Sequence, residues 1–143
     1  MPVDIEKIRA FFGADRYAMA LTGIRIVSAG GGEAVCELET NEKDHSNAGG
    51  KVQGGAVFTL CDICFTAAAN AEDITETGFA HTLTLSAHIS YLRPARISST
   101  LIATAKRLKH GRNTCCYEVM VYEARSADKP VASAMIEGFT IDH

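Results

Sequence analysis

Between Gln53 and Ala71 the chain stays apolar almost without a break, and no other feature constrains the fold as strongly. The run is too long for a typical strand. It is rich in helix formers, with Ala56, Leu60, Phe65, Ala67, Ala68 and Ala69. Apolar residues on nearly every side predict a helix that is buried all round. Its polar residues are Thr59, Asp62, Thr66 and Asn70, and their spacing of three, four and four places them on one stripe. The apolar stretch Ala56 to Ala71 is interrupted by Asp62 and Asn70, which makes it too short and too polar for a membrane span. Such a helix needs a protein surface to enclose it.

The rest of the chain supplies that surface as strands. Thr82 to Leu92 alternates, with Leu83, Leu85, Ala87, Ile89 and Tyr91 expected on one face. Thr84, Ser86, His88 and Ser90 are expected on the other. Leu101 to Leu108, Thr114 to Ala124 and Val131 to Ile141 read as strands separated by turn sequences at 109–112 and 126–130. Ile24 to Ala29 and Glu33 to Glu39 flank three glycines, as in a hairpin. Asp4 to Phe12 reads as a short amphipathic helix and Thr40 to Lys51 as a polar loop. The expected class is α+β: a long central helix packed on an antiparallel sheet of five to six strands. A chain of 143 residues fits one domain, 1–143. A single sheet has free edges, so a homo-oligomer is expected.

Charge is unevenly spread. Residues 1–76 carry 6 basic and 12 acidic side chains. Residues 77–117 carry Arg93, Arg96, Lys106, Arg107, Lys109 and Arg112 with no acid. The formal net charge of −3 argues against nucleic-acid binding by the whole chain, while the basic block suits the phosphates of a small ligand. No signal-peptide pattern opens the chain, and five cysteines is an odd number, so free thiols and a cytoplasmic location are expected. Cys61-x-x-Cys64 has redox-pair spacing but lies inside the apolar run, which favours buried thiols. No spacing of His or Cys points to a metal site, and no cofactor motif is present.

Asp62 is the residue most indicative of chemistry. A carboxylate amid Leu60, Cys61, Ile63, Cys64 and Phe65 must be paired, hydrogen-bonded or retained for function. Thr66, one turn on, can donate a hydroxyl to it. A structural acid at a subunit interface is the alternative. Gly54-Gly55 opens the helix, where free N–H groups and the helix dipole suit a carbonyl oxygen gaining negative charge.

The run from His45-Ser46-Asn47-Ala48-Gly49-Gly50-Lys51-Val52 through Gln53-Gly54-Gly55 to Asp62 resembles the signature of hotdog-fold acyl-CoA thioesterases of the phenylacetate-degradation (PaaI) type. Ile89-Ser90-Tyr91-Leu92-Arg93-Pro94-Ala95 and Lys109-His110-Gly111-Arg112 are similar to that family as well. The resemblance implies a hotdog fold and hydrolysis of an acyl- or aryl-acyl-CoA to free acid and coenzyme A. It makes Asp62 the catalytic carboxylate, either as general base or as nucleophile. Gly54 becomes the N–H that polarises the thioester, and Asn47 and Thr66 the groups that place water or carbonyl. Gln53, Gly55 and Thr84 would line the substrate site. Arg93, Arg96, Lys109 and Arg112 would meet coenzyme A. It also implies a dimer that shares its site across the interface, and a dimer of dimers. Gln53 stands where the family usually has His, and an amide cannot exchange a proton near neutral pH. Two other readings stay open: an acyl-CoA-binding protein without turnover, and a hydratase or dehydratase, which would need a His that the central helix lacks.

Overall fold

The computed structural model describes residues 2–141. Helix α1, Ile5–Phe12, is capped by Asp4, whose carboxylate accepts from the N–H groups of Glu6 and Lys7 at 3.1 and 3.3 Å. A π-helical stretch, Arg16–Thr22, follows and is closed by Gly23 at φ 90°. Strands β1 (Arg25–Gly30) and β2 (Glu33–Glu39) form the expected hairpin. The polar loop after β2 contains a four-residue helix, α2 (Glu42–His45), capped by Asn41, so it is less irregular than its composition suggests. Helix α3 (Gly54–Thr77) comes next, then β3 (Thr82–Tyr91), β4 (Thr100–His110), β5 (Thr114–Glu123) and β6 (Pro130–Thr140).

The six strands make one antiparallel sheet in the order β1-β2-β4-β5-β6-β3, with α3 laid along it. This is the hotdog arrangement. Leu60, Cys61, Cys64, Phe65, Ala67, Ala68 and Ala71 of α3 are buried, as are Leu101, Ala103, Ala105, Val119, Val121, Ala134 and Ile136 of the sheet. Small residues on both layers let the helix lie close. Phe65 meets Tyr117 edge-on at 5.3 Å. Gly138 is required beneath it, because a Cβ there would stand 2.7 Å from the Phe65 ring and 2.8 Å from the Cys115 sulfur.

Three expectations need correction. Helix α3 runs six residues past Ala71, because Ile74 and Thr75 continue its buried side and Gly78, at φ 81°, supplies the C-cap. At 24 residues it is long and apolar enough to cross a membrane, yet more than half of its most apolar part is buried within the fold. Nor is it buried all round. Thr59, Asp62 and Thr66 are half-buried, and only Asn70 of the polar stripe is fully enclosed. Asn70 holds the start of β3, accepting from the N–H groups of His81 and Thr82 and donating to the Thr82 carbonyl.

The third correction concerns β3. Thr84 pairs with Gly138 and Ser86 with Glu137, so Leu85 is an extra residue in a β-bulge. Directly paired residues share a face. Thr82 and Thr84 therefore face α3 before the bulge, and Ala87, Ile89 and Tyr91 face it afterwards. Leu83 lies on the opposite face from Ala87, contrary to unbroken alternation. Most of β3 is exposed, and it forms one edge of the sheet.

Candidate active site

The loop leading into α3 is held by its own side chains. The Asn47 amide oxygen accepts from the N–H groups of Gly49 (2.9 Å) and Lys51 (3.0 Å). Gly50 turns at φ 82°, a conformation that suits glycine. The Asn41 N–H donates to Nδ1 of buried His45 at 3.0 Å, so Nε2 carries the proton and donates to the Thr22 carbonyl at 2.7 Å. The His45 carbonyl in turn accepts the Gln53 N–H at 2.7 Å. This imidazole is a structural pin between the π-helical stretch, the loop and the helix start.

Gln53 is the N-cap of α3. Its side-chain oxygen accepts from the Gly55 N–H at 2.7 Å, and its carbonyl accepts from Ala56 and Val57 at 3.0 and 3.3 Å. The Gly54 N–H is left without a hydrogen-bond partner among the described residues. It lies at the positive end of a 24-residue helix. Gly54 borders a recess of about 430 Å³ that is also lined by Asn47, Lys51, Val57, Tyr91 and Arg93. The Tyr91 hydroxyl donates to the Gly54 carbonyl at 3.0 Å.

Asp62 lies two turns further along α3. Its carboxylate accepts from the Thr84 hydroxyl at 2.6 Å. Thr66 donates to the main-chain carbonyl of Asp62 at 2.8 Å, so the carboxylate's hydroxyl partner is the threonine on β3. Eight residues at 1.5 Å each separate Gly54 from Asp62 by about 12 Å along the axis. A reacting atom must lie about 3 Å from both groups. One protomer does not bring them together.

The cations divide likewise. Arg93 borders the recess and donates from Nε to the Pro130 carbonyl at 3.1 Å. Arg96 is committed to nearly buried Glu123, with Nε and Nη2 on one carboxylate oxygen at 3.1 and 2.9 Å and its backbone N–H on the other at 2.9 Å. Burial works to raise the Glu123 pKa, but the hydrogen bonds and charge of Arg96 outweigh it and hold the carboxyl below its usual range. Lys109 and Arg112 lie at the β4–β5 turn, at the other end of the sheet from Gly54. In one protomer the basic block is therefore two groups.

Tyr91, Lys51 and Glu123 border or brace the site and were not singled out from sequence. Tyr91 closes an alternating strand and reads as core. Lys51 lies upstream of the basic block. Nothing local announces that Glu123 meets Arg96 across 27 residues. Cys61 and Cys64 are inert. Burial, with Cys64 and Asp62 nearby, pushes the Cys61 thiol up to about 12. A hydrogen bond with Cys36, together with burial, holds Cys64 well above its ordinary value. Neither forms a thiolate near neutral pH, so the redox spacing carries no redox chemistry.

Comparison with known proteins agrees with this geometry. Residues 49–128 match the family model described as "Thioesterase superfamily". Human acyl-coenzyme A thioesterase 13 is 35% identical over 107 residues, covering 75% of this chain and 73% of that protein. The structure of the Escherichia coli PaaI protein from the phenylacetic acid degradation operon superposes with a TM-score of 0.82 at 26% identity, over 96% of this chain and 93% of that one. That of smu.793 from Streptococcus mutans, bound to acetyl-CoA, gives 0.71 at 28% identity, over 82% and 88%. With a matching family model over more than half its length and the helix, loop and sheet arranged as described, this chain belongs to the thioesterase superfamily.

Proposed function

We propose that this protein hydrolyses acyl-CoA thioesters, as a homodimer in which each site takes the Gly54 N–H from one copy and the Asp62 carboxylate from the other. The unpartnered Gly54 N–H at the start of α3 is the observation that carries the reading. It is a preorganised donor at a positive helix end, suited to the oxyanion that forms when a thioester carbonyl is attacked. Relatives named acyl-CoA thioesterases and a similar structure bound to acetyl-CoA support the substrate class.

In the proposed reaction the thioester oxygen binds the Gly54 N–H. Asp62, held by Thr84, takes a proton from water as the water oxygen attacks the carbonyl carbon. The C–S bond breaks, and the coenzyme A sulfur leaves and takes up the proton. Direct attack by the carboxylate, with an acyl anhydride then hydrolysed, uses the same residues. Single-turnover hydrolysis in ¹⁸O-water, with label sought in Asp62, separates the two routes. Asn47 retains its amide N–H₂ for water or carbonyl, because its oxygen is occupied by the loop. Thr66 fixes the helix turn that carries the acid. Arg93 and Lys51 lead the coenzyme A arm out of the recess, joined by Lys109 and Arg112 of the second copy. Arg96 borders them while tied to Glu123.

Two features support the dimer: a gap of about 12 Å between Gly54 and Asp62 along one helix, and an exposed edge strand, β3. A dimer of dimers, a single domain over 1–143 and a cytoplasmic setting complete the proposal. Binding without turnover is the second reading, favoured by Gln53 having no exchangeable proton. Asp62→Asn decides between them. Under the hydrolase reading kcat falls by about 10²–10⁴ with substrate still bound. A wild-type protein that binds acyl-CoA but releases no free thiol would establish the second.

A further inference from the structure

Strand β3 touches both halves of the proposed chemistry. Thr84 donates to the Asp62 carboxylate and Tyr91 donates to the Gly54 carbonyl, seven residues further on. In an unbroken strand, residues an odd number apart face opposite sides of the sheet. Thr84 and Tyr91 both face α3 only because Leu85 is bulged out between them. Tyr91 also fits closely against Gly54. A Cβ built on Gly54 would stand 3.3 Å from the Tyr91 ring carbon that bears the hydroxyl. Half of the Tyr91 surface is exposed, so the ring is not held there by core packing alone.

We infer that Tyr91 is a positioning residue for the Gly54 N–H, and that the bulge at Leu85 is what lets one strand brace both the donor and the acid. The inference rests on the thioesterase reading above. The phenol braces Gly54 in two ways, by a hydrogen bond to its carbonyl and by a ring that crowds the place a Cβ on Gly54 would take. The N–H of the same residue, at the edge of the recess, is left unconsumed among the described residues. Burial, with Cys61 nearby, raises the phenol's pKa, so it remains a donor throughout the neutral range. Among the described residues, no other hydroxyl bonds to Gly54.

The test compares wild type, Tyr91→Phe and Tyr91→Leu on acetyl-CoA and hexanoyl-CoA, with Tm and a ¹⁵N–¹H correlation spectrum for each. Tyr91→Phe removes only the hydroxyl. It should lower kcat about three- to tenfold, the scale of one hydrogen bond, with KM within twofold. The Gly54 amide resonance should move while those of the α3 core stay. Tyr91→Leu, which also loses the ring contact, should lower kcat further. A Tyr91→Phe variant with wild-type kcat and an unmoved Gly54 amide overturns the inference, as does a lowered Tm with kcat intact. If wild type hydrolyses neither thioester, the functional reading falls, and the catalytic role of Tyr91 falls with it. That result differs from active enzyme that is indifferent to residue 91.

Discussion

Gln53 gives its amide oxygen to the Gly55 N–H and leaves the Gly54 N–H free. If the family's histidine serves to order this loop, Gln53 already does that work. Gln53→His should therefore change kcat by less than about tenfold, or 1.4 kcal/mol. A large gain with a new inflection near pH 6.5 would show that proton exchange was missing. Glu123 makes a second prediction at this scale. Its pKa is lowered in the folded state, so its contribution is fully present above the ordinary carboxylate range. It is lost as pH falls through the lower folded value. Glu123→Gln should cost about 1–2 kcal/mol at pH 7, discounted because Arg96 is half exposed. In urea titrations the gap from wild type should narrow below about pH 4. Asp62 was legible in the sequence because a charge amid apolar neighbours is conspicuous whatever the fold. Glu123 was not, since only the folded chain brings Arg96 to it.

Helix α3 could be read from composition because burial on several sides leaves a continuous apolar run. Its last six residues could not, because Glu72, Asp73 and Glu76 dilute that run while Ile74 keeps the contact. Strand β3 was legible as a strand, but its facing was not. A bulge changes which residues oppose one another without altering the hydrophobic pattern, so alternation assigned Leu83 and Tyr91 to the same side. The layer between α3 and the sheet predicts its own weak point. Gly138→Ala would force a methyl against Phe65, Cys115 and Thr82, all inside 3 Å. It should destabilise by about 1–3 kcal/mol, read as a lower urea midpoint.

Over the whole molecule, the gap between Gly54 and Asp62 makes activity, under the proposed function, a property of pairs of chains. Gly54→Pro removes the N–H, yet proline suits the first helical position. Asp62→Asn removes the acid. Each alone should be nearly inactive. Equal mixing after subunit exchange should restore about a quarter of wild-type activity, since half the dimers are hybrids with one intact site of two. No recovery would place both groups in one chain's site. The basic block was legible as a stretch of sequence, but its division between the two ends of the sheet depended on strand register. The thiols offer a different use of the fold. Cys36, Cys61, Cys64 and Cys115 are buried, whereas Cys116 is partly open. A thiol reagent should modify one cysteine quickly and the other four only as fast as α3 lifts from the sheet. Alkylation followed by mass spectrometry would then give the native state a clock, with Cys116 marking the start and the slow four timing each excursion from the closed form.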